Sequence, residues 1–538
     1  QYHRGTLTSV ARNKANNRRS ERLLRELEFL GVMALKQAGA PYPAETLAEF
    51  WELVLINQFH DILPGTSIPE VYVDSDAEYG RIFSTLASGN GPWHAAAQAF
   101  ATPGQEQLRL INFTSQTRSD LVHFPFISVQ EGASLSAGGA VHPLQRITRA
   151  DGSEELVAPV SDMVPLGWTA GQIVTGGAAN TSSALSVSET HLENELLRVT
   201  LDGNGEITSI FDKTRSRETL APGQVANRLV AYEDKPMEWD AWDIDRYFEE
   251  QFWPLADAGA NISVVETGPH RAAIRVERRY QNSLFVQVIS LAAGQRQVEF
   301  DTFIDWQERS TVIKALFPFD LNTSEIRSEI QFGHVRRPTH RNTSWDKARF
   351  EASMHRWVDM SEADFGVALL NDCKYAYDAL EQTVRLTLVR GTNFPSPDAD
   401  LGEHRIRYAL FVHDGVADLA DVHRAAERFN NPVAVIGSLQ PAREASTDLA
   451  SFSFAQVDQP NVTIETVKKA EKSDAIVVRI FEHANIRADA TISFGIPVKS
   501  VRTVNLMEDG ESKPLELTGN GVRLQLRPFE IVTLLVET

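Results

Sequence analysis

The sequence predicts an α+β multidomain protein, mainly β, with an N-terminal three-helix bundle followed by antiparallel β-sandwich domains. Apolar residues recur at helical spacing through the first hundred positions. After about Pro103 the texture changes to short β-branched and aromatic runs bounded by Gly, Asn and Asp. Strands never alternate with helices, which argues against a parallel α/β sheet. A chain of 538 residues also exceeds the roughly 250–300 at which single cores stop growing.

The helices come first. From Ala11 to Ala38, Leu23, Leu27, Leu30 and Ala34 repeat at helical spacing, with Arg, Asn and Glu between them. Leu47, Phe50, Trp51, Val54, Leu55 and Phe59 mark a second helix between Pro43 and Pro64–Gly65. Ser67-Ile68-Pro69-Glu70 reads as a capping box opening a third. That helix carries Val71, Tyr79, Ile82, Phe83 and Leu86, breaks at Gly89–Pro92, and a short helix resumes at Trp93.

The rest reads as strands, among them LRLINF, RAAIRVERRY, LFVQVISLAA, QVEFDTFIDW and TVRLTLVR, with a hairpin turn at Asp202-Gly203-Asn204-Gly205. A linker is expected near 176–186, a helix at Val416–Phe429 and a further break near Ser438–Ser451. The expected division is a helical bundle over 1–102, a small β domain over 103–185, a large β-sandwich over 186–437 and a C-terminal β-sandwich over 438–538.

Composition narrows the function. A net charge of -20 argues against nucleic acid and anionic membrane partners but leaves a neutral sugar open. Cys373 is the only cysteine, so neither an intrachain disulfide nor a cysteine-rich zinc site is possible. No apolar run reaches the length of about 20 residues that spans a bilayer. No Gly-rich phosphate loop joins a strand to a helix. The beginning, QYHRGTLTSVARNK, lacks an initiating Met and an apolar leader, so the chain reads as cut from a longer protein. The sequons at Asn112, Asn180, Asn322, Asn342 and Asn461 read as chance, and the location expected is the cytoplasm.

Two stretches carry candidate chemistry. His60–Asp61, in NQFHDILPG, pairs a metal-binding imidazole with a carboxylate, but zinc wants three or four ligands and this pair supplies at most two. The bland reading is a histidine at a helix end followed by a turn aspartate. In MEWDAWDIDRYFEEQ, Trp242 and Asp243 are the candidates for sugar contact, since an indole stacks on a pyranose and a carboxylate accepts hydroxyls. The same stretch suits an acidic loop anchored by two buried tryptophans, Trp239 and Trp242. Three further segments, Thr339–Asp359, Leu369–Asp378 and Asp398–His413, mix His, Arg, Trp and acids and read as solvated or salt-bridged sheet faces.

Taken together, HRGTLTS, NQFHDILPGTSI, LENELLRVTLDGNGEITSIFDK, WDAWDID, THRNTSWDKARFE, VALLNDCKYAYD and GEHRIRYALF resemble family 38 glycoside hydrolases, the retaining α-mannosidases. The resemblance runs collinearly over about residues 1–415 and is nearest to the bacterial and cytosolic-type branch. It implies the region after a catalytic α/β barrel, with His60 as one ligand of a divalent cation, zinc (Zn) in the usual case, and Asp61 touching mannose hydroxyls. It also implies a barrel Asp as nucleophile, so no catalytic residue is expected in this chain. Family members commonly carry an acid two positions before the histidine of HRGT, where this chain has Gln1. The partners implied are a mannose-containing oligosaccharide and the barrel domain, and apolar surface left by the barrel suggests a homo-oligomer. The alternative is a non-catalytic carbohydrate-binding or scaffolding β-sandwich protein.

Overall fold

In the computed structural model, which describes residues 3–100, 107–126, 132–175, 184–416, 419–442 and 450–538, the first long element is helix α1 (Ala11–Ala38). Val10, just before it, has left-handed backbone torsions and gives no side-chain cap. The cap comes from far along the chain, where Asp400 accepts from the Val10 and Ala11 N–H groups at 2.8 and 2.7 Å. At the other end Gly39 sits at φ 66° and returns its N–H to Leu35, the conformation a glycine takes most readily.

Helices α2 (Ala44–Asn57), α3 (Pro69–Leu86) and α4 (Pro92–Gln98) pack around α1. Two expectations fail here. Leu55 and Phe59 continue the apolar spacing of α2 but are 61% and 56% exposed, because only Leu47, Phe50 and Val54 reach the shared core. The capping box does not form: Ile68 is the residue before α3, and Ser67 turns its hydroxyl to the Asp61 carbonyl at 2.9 Å. Pro69 at the first helical position has no N–H to satisfy, so α3 forgoes the cap at little cost.

The β part is antiparallel throughout the described residues. A small unit places Leu108–Asn112, Gly167–Thr175, Ala133–Ala137 and Ala140–Pro143 in one sheet, against a second made of Arg118–Pro125, Glu154–Met163 and Gln145–Thr148. Ala434–Gly437 and Ser451–Ser453 also join the first of these sheets, so the chain revisits it on both sides of residue 438. The long-range hydrogen bonds of a sheet edge outweigh sequence distance here. Most of the linker expected near 176–186 lies outside the described residues, as do Gln1, Asn180 and 443–449 of the break near 438–451.

The large sandwich is built on a nine-stranded sheet running in space from Asn261–Thr267 to Gly333–Pro338, with Gly402–His413 at its centre. It faces a six-stranded sheet that includes Arg228–Glu233, Thr311–Pro318 and Thr383–Arg390, and the two share one core with Trp306, Phe317 and Tyr408. The hairpin at 202–205 joins Leu197–Leu201 to Ile207–Asp212 as expected. Helix α5 (Ser344–Lys347) opens with a real capping box, Thr343 and Asp346, and helix α6 (Leu419–Asn430) packs on the nine-stranded sheet. The last sandwich shares its core with α1–α4, so helices and C-terminal strands bury one continuous apolar body.

The polar segments read as solvated or salt-bridged faces are mixed: Asn342, Trp345, Arg349, Asp398, Glu403 and Arg405 are exposed, while other residues turn inward. Asn371, Lys374, Asp378, Asp359, Asp400, His404 and His413 are all buried. Burial is tolerated where a charge finds a partner, as Asp378 does in Lys314 and Arg385. Among the sequons, Asn112 is fully buried with its amide donated to two backbone carbonyls, and Asn461 is bound to Glu482, so neither amide is free for a glycan.

Lys314 shows what such partners are worth. Its ammonium is fully buried, 2.9 Å from Asp378 and from the Thr387 hydroxyl, and also contacts Glu351. Lys314→Met should lower the urea midpoint of the sandwich transition by the equivalent of about 3–5 kcal/mol, because Glu351 loses its buried counter-charge and Asp378 keeps only Arg385. An unchanged midpoint would refute the assignment.

Candidate functional site

His60 and Asp61 stand in a turn that the protein fastens from inside. Helix α2 ends at Asn57, whose amide donates to Leu53 O and to Glu78. The turn then closes on itself through Ile62 N to Phe59 O and Thr66 N to Asp61 O. From beneath, Asn13 donates to Ile62 O at 2.9 Å and Lys14 Nζ donates to Ser9 O and Leu63 O at 2.6 and 2.8 Å. Gly65, at φ +90°, lies so close that a Cβ would fall 2.2 Å from the Ser9 carbonyl oxygen.

The functional groups face the other way. The His60 side chain is 77% exposed, with Nε2 3.4 Å from Asp61 Oδ2. Asp61 Oδ1 accepts from the Thr66 hydroxyl at 2.9 Å, which leaves Oδ2 on the open side. The pair is therefore both a helix end and an outward-facing donor set.

The segment His3–Val10 ties this turn to the tryptophan loop. Gly5 N donates to Trp242 O at 3.0 Å, and Ser9 Oγ donates to Ala241 O at 2.8 Å. Arg390, fully buried, sits between them: it pairs with Asp234 at 2.6 Å and donates to Ser9 Oγ, Ala241 O and Asp243 O. A Cβ on Gly5 would meet Arg390 Nη1 at 2.1 Å, so only glycine allows this approach. Burial raises the Asp234 carboxyl to about 6, with Arg390 pulling against that shift.

The loop itself differs from the expected buried anchor. Trp239 is 60% exposed and Trp242 is half-buried, their rings edge-to-face at 5.5 Å, with Phe394 against Trp242 at 6.3 Å. Ala241, Ile244 and Phe248 are what hold the loop to the sandwich. Asp243 is not free: it pairs with Arg4 at 2.9 Å, and Arg4 also lies over Phe350 and donates to Ala348 O.

Three further carboxylates of this loop are occupied as well, while Glu238 and Glu250 are exposed. Asp240 accepts from Asn393 N and Asp245 from Met237 N. Burial works to raise Glu249, yet Arg341 and Arg385 outweigh it and hold the carboxyl down at about 2. A glycosidase pair needs one carboxyl protonated near neutral pH, and the bound Asp240, Asp243, Asp245 and Glu249 are not placed for that role. As for a metal, imidazole nitrogen and carboxylate oxygen suit a divalent ion chemically. Their number does not suffice: no three His, Cys, Asp or Glu side chains converge among the described residues.

Arg390, Asp234, Asp400 and Lys14 are the positioning residues that sequence reading missed. Nothing in their spacing marks them, since each acts on groups far away in sequence. Only the close approach demanded of Gly5 and Gly65 bears on that backbone contact.

Known proteins match along the whole chain. Family models match residues 1–88 (alpha mannosidase middle domain), 192–398 (glycosyl hydrolases family 38 C-terminal domain) and 461–534 (glycosyl hydrolases family 38 C-terminal beta sandwich domain). Alpha-mannosidase 2C1 of Homo sapiens is 35% identical over 548 residues, covering 100% of this chain and 50% of that protein. The alpha-mannosidase of Saccharomyces cerevisiae is 28% identical over 576 residues, covering 99% of this chain and 48% of its own. The chain thus spans about half the length of the curated relatives it matches. A solved alpha-mannosidase from Enterococcus faecalis V583 shares the fold, with TM-score 0.81 and 18% identity over 99% of this chain and 68% of that one.

Burial lowers the Lys14 ammonium to about 7, against the pull of Asp400. Between pH 7 and the unfolded value of about 10.5 the unfolded state then binds one more proton, so stability rises with pH by up to about 1.4 kcal/mol per unit. Lys14→Met should abolish that rise in urea midpoints measured across the window. A mutant that keeps the same slope would show that Lys14 is not its source.

Proposed function

The chain carries the middle domain and both C-terminal domains of the family 38 glycosyl hydrolases, and from that premise we propose that it is the C-terminal part of an α-mannosidase. In this reading the whole protein hydrolyses terminal α-linked mannose from oligosaccharides, with retention. The observation that carries the proposal is the His60–Asp61 turn, braced by buried polar groups yet presenting its donors outward. A structural helix end would have no use for that arrangement.

Each residue then has a task. His60 supplies one nitrogen to a divalent cation, zinc in the first instance, which would stabilise negative charge and grip sugar hydroxyls when bound. Asp61 Oδ2 accepts a mannose hydroxyl. Trp242 offers an apolar face to the pyranose, while Asp243, through Arg4, fixes the loop and borders the sugar. The nucleophile and the remaining ligands belong to a barrel domain, and no carboxylate of this chain takes the nucleophile's part. Leu55, Ile56, Phe59, Ile68 and Val73, all more than half exposed, flank the turn and fit the surface that such a domain covers. Without it, the same residues drive self-association.

We place the protein in the cytoplasm, a reading supported by its single, buried cysteine and the two enclosed sequons. No helix of the described residues is long and apolar enough to cross a membrane.

A second reading keeps the fold as a carbohydrate-binding module, favoured by the exposed Trp239 and the aromatic group around Trp242. Calorimetry with mannobiose separates the two, since binding lost in Trp242→Ala but kept in His60→Ala would favour the module. For the enzyme, His60→Ala in the complete protein should cut both metal affinity and turnover by about a hundredfold or more, and Asp61→Asn should act mainly on KM. The isolated chain should hold far less than one zinc per molecule. Stoichiometric zinc in the isolated chain, or full turnover in His60→Ala, would overturn the proposal.

A further inference from the structure

Where the small β unit, the nine-stranded sheet and α6 meet, the structure encloses a cavity of about 330 Å³. Its wall carries five arginines, Arg118, Arg149, Arg271, Arg407 and Arg428, against the carboxylates Asp120, Glu155 and Glu299. Such a wall is unexpected in a chain of net charge -20.

Three of these arginines have a close carboxylate. Arg149 bonds Glu155 at 2.7 Å, Arg271 grips Glu266 through two bonds of 2.6 and 2.7 Å, and Arg118 pairs with Asp120. Arg407 comes no nearer than 3.9 Å to Glu299 and rests over the Phe429 ring. Arg428 has no hydrogen bond or ion pair among the described residues. Its pKa is lowered by burial, against the pull of Asp120, which is already bound to Arg118, and of the buried Glu427. A guanidinium nevertheless stays protonated.

A second observation points to the same wall. The Arg118 side chain is 1% exposed, and its Nε is buried with no acceptor. Arg118 and Arg428 also line a small adjoining cavity of about 90 Å³. A guanidinium such as Arg428, with no direct acceptor on the wall of a cleft, is costly when left unpaired and favourable around an oxyanion.

We propose that this seam binds a small phosphate monoester, its oxyanion on Arg428 and its organic body against Phe429, Pro432 and Val433. The volume lies at the lower end of the roughly 300–1,000 Å³ of small-molecule sites, larger than a bare ion fills. Because strands of two sheets and one helix converge there, a bound ligand would brace the units against one another and stabilise the folded chain. The inference is independent of the glycosidase reading, and its readouts do not involve turnover.

The experiment is calorimetry and thermal melting of the full chain with a hexose 6-phosphate, inorganic phosphate and the neutral hexose. The hexose phosphate should bind saturably and raise Tm, inorganic phosphate should bind more weakly, and the neutral hexose should do neither. Arg428→Ala and Arg428→Gln, checked for fold by circular dichroism, should weaken binding at least about tenfold, the loss of one charged hydrogen bond. Arg523→Ala, on the surface, should leave it unchanged. The proposal falls if no saturable binding appears up to about 10 mM, or if folded Arg428 variants bind like the parent. Inorganic phosphate binding as tightly as the hexose phosphate would overturn the monoester assignment.

Discussion

The geometry of the candidate site depends on the buried Arg390 guanidinium. It hydrogen-bonds to both the His3–Val10 segment and the tryptophan loop, through Ser9 Oγ and the carbonyls of Ala241 and Asp243. A charge this deep is tolerated only with a counter-charge, and Asp234 supplies it at 2.6 Å. The pair contributes little net stability by itself, since desolvation offsets most of the attraction. Its value is directional: a planar fork with fixed donors sets where two distant backbones can lie, which an apolar contact could not do.

Helix α1 extends the same logic along the molecule. Its apolar residues pack against helices and the last sandwich, while its polar residues are buried against everything else. Lys14 holds the His60 turn, Arg18 donates to His355 O and Asn371 O in the large sandwich, and Arg25 pairs with Glu465 at 2.7 Å in the C-terminal one. At about 1.5 Å per residue the 28 residues of α1 span about 42 Å, enough to index three units on one rod. Asp400 caps the start of that rod from the large sandwich, so helix and β units cannot slide independently.

These arrangements explain what was legible in the sequence. Periodicity records burial of apolar groups, so α1, α2, α3 and the major strands could be read directly, as could the hairpin at 202–205. Periodicity says nothing of buried polar groups, so nothing in it marks Arg18 and Lys14. The same blindness misplaced Leu55 and Phe59, which obey helical spacing but point away from the shared core. Ser67 looked like a cap because its local pattern fits one, whereas its hydroxyl is claimed by the Asp61 carbonyl six residues back. His60 and Asp61 were found through a resemblance, and Arg390 and Asp234 through neither route, because a positioning pair leaves no local pattern.

What the molecule turns outward is then informative. The carboxylates of the tryptophan loop that are drawn into structure, Asp240, Asp243, Asp245 and Glu249, are each bound, and the polar sheet segments are folded inward in part. Against that background the exposed His60 imidazole and Asp61 Oδ2 are exceptions, and they sit on a turn whose backbone is held by Asn13, Lys14, Thr66 and Ser67. The ordering cost of the turn is met when the chain folds, not when a ligand arrives. A donor fixed in this way loses little entropy on binding, which is the condition for one domain to deliver part of a site to another. The buried lysine and arginine thus account for how two exposed side chains are held in a fixed geometry.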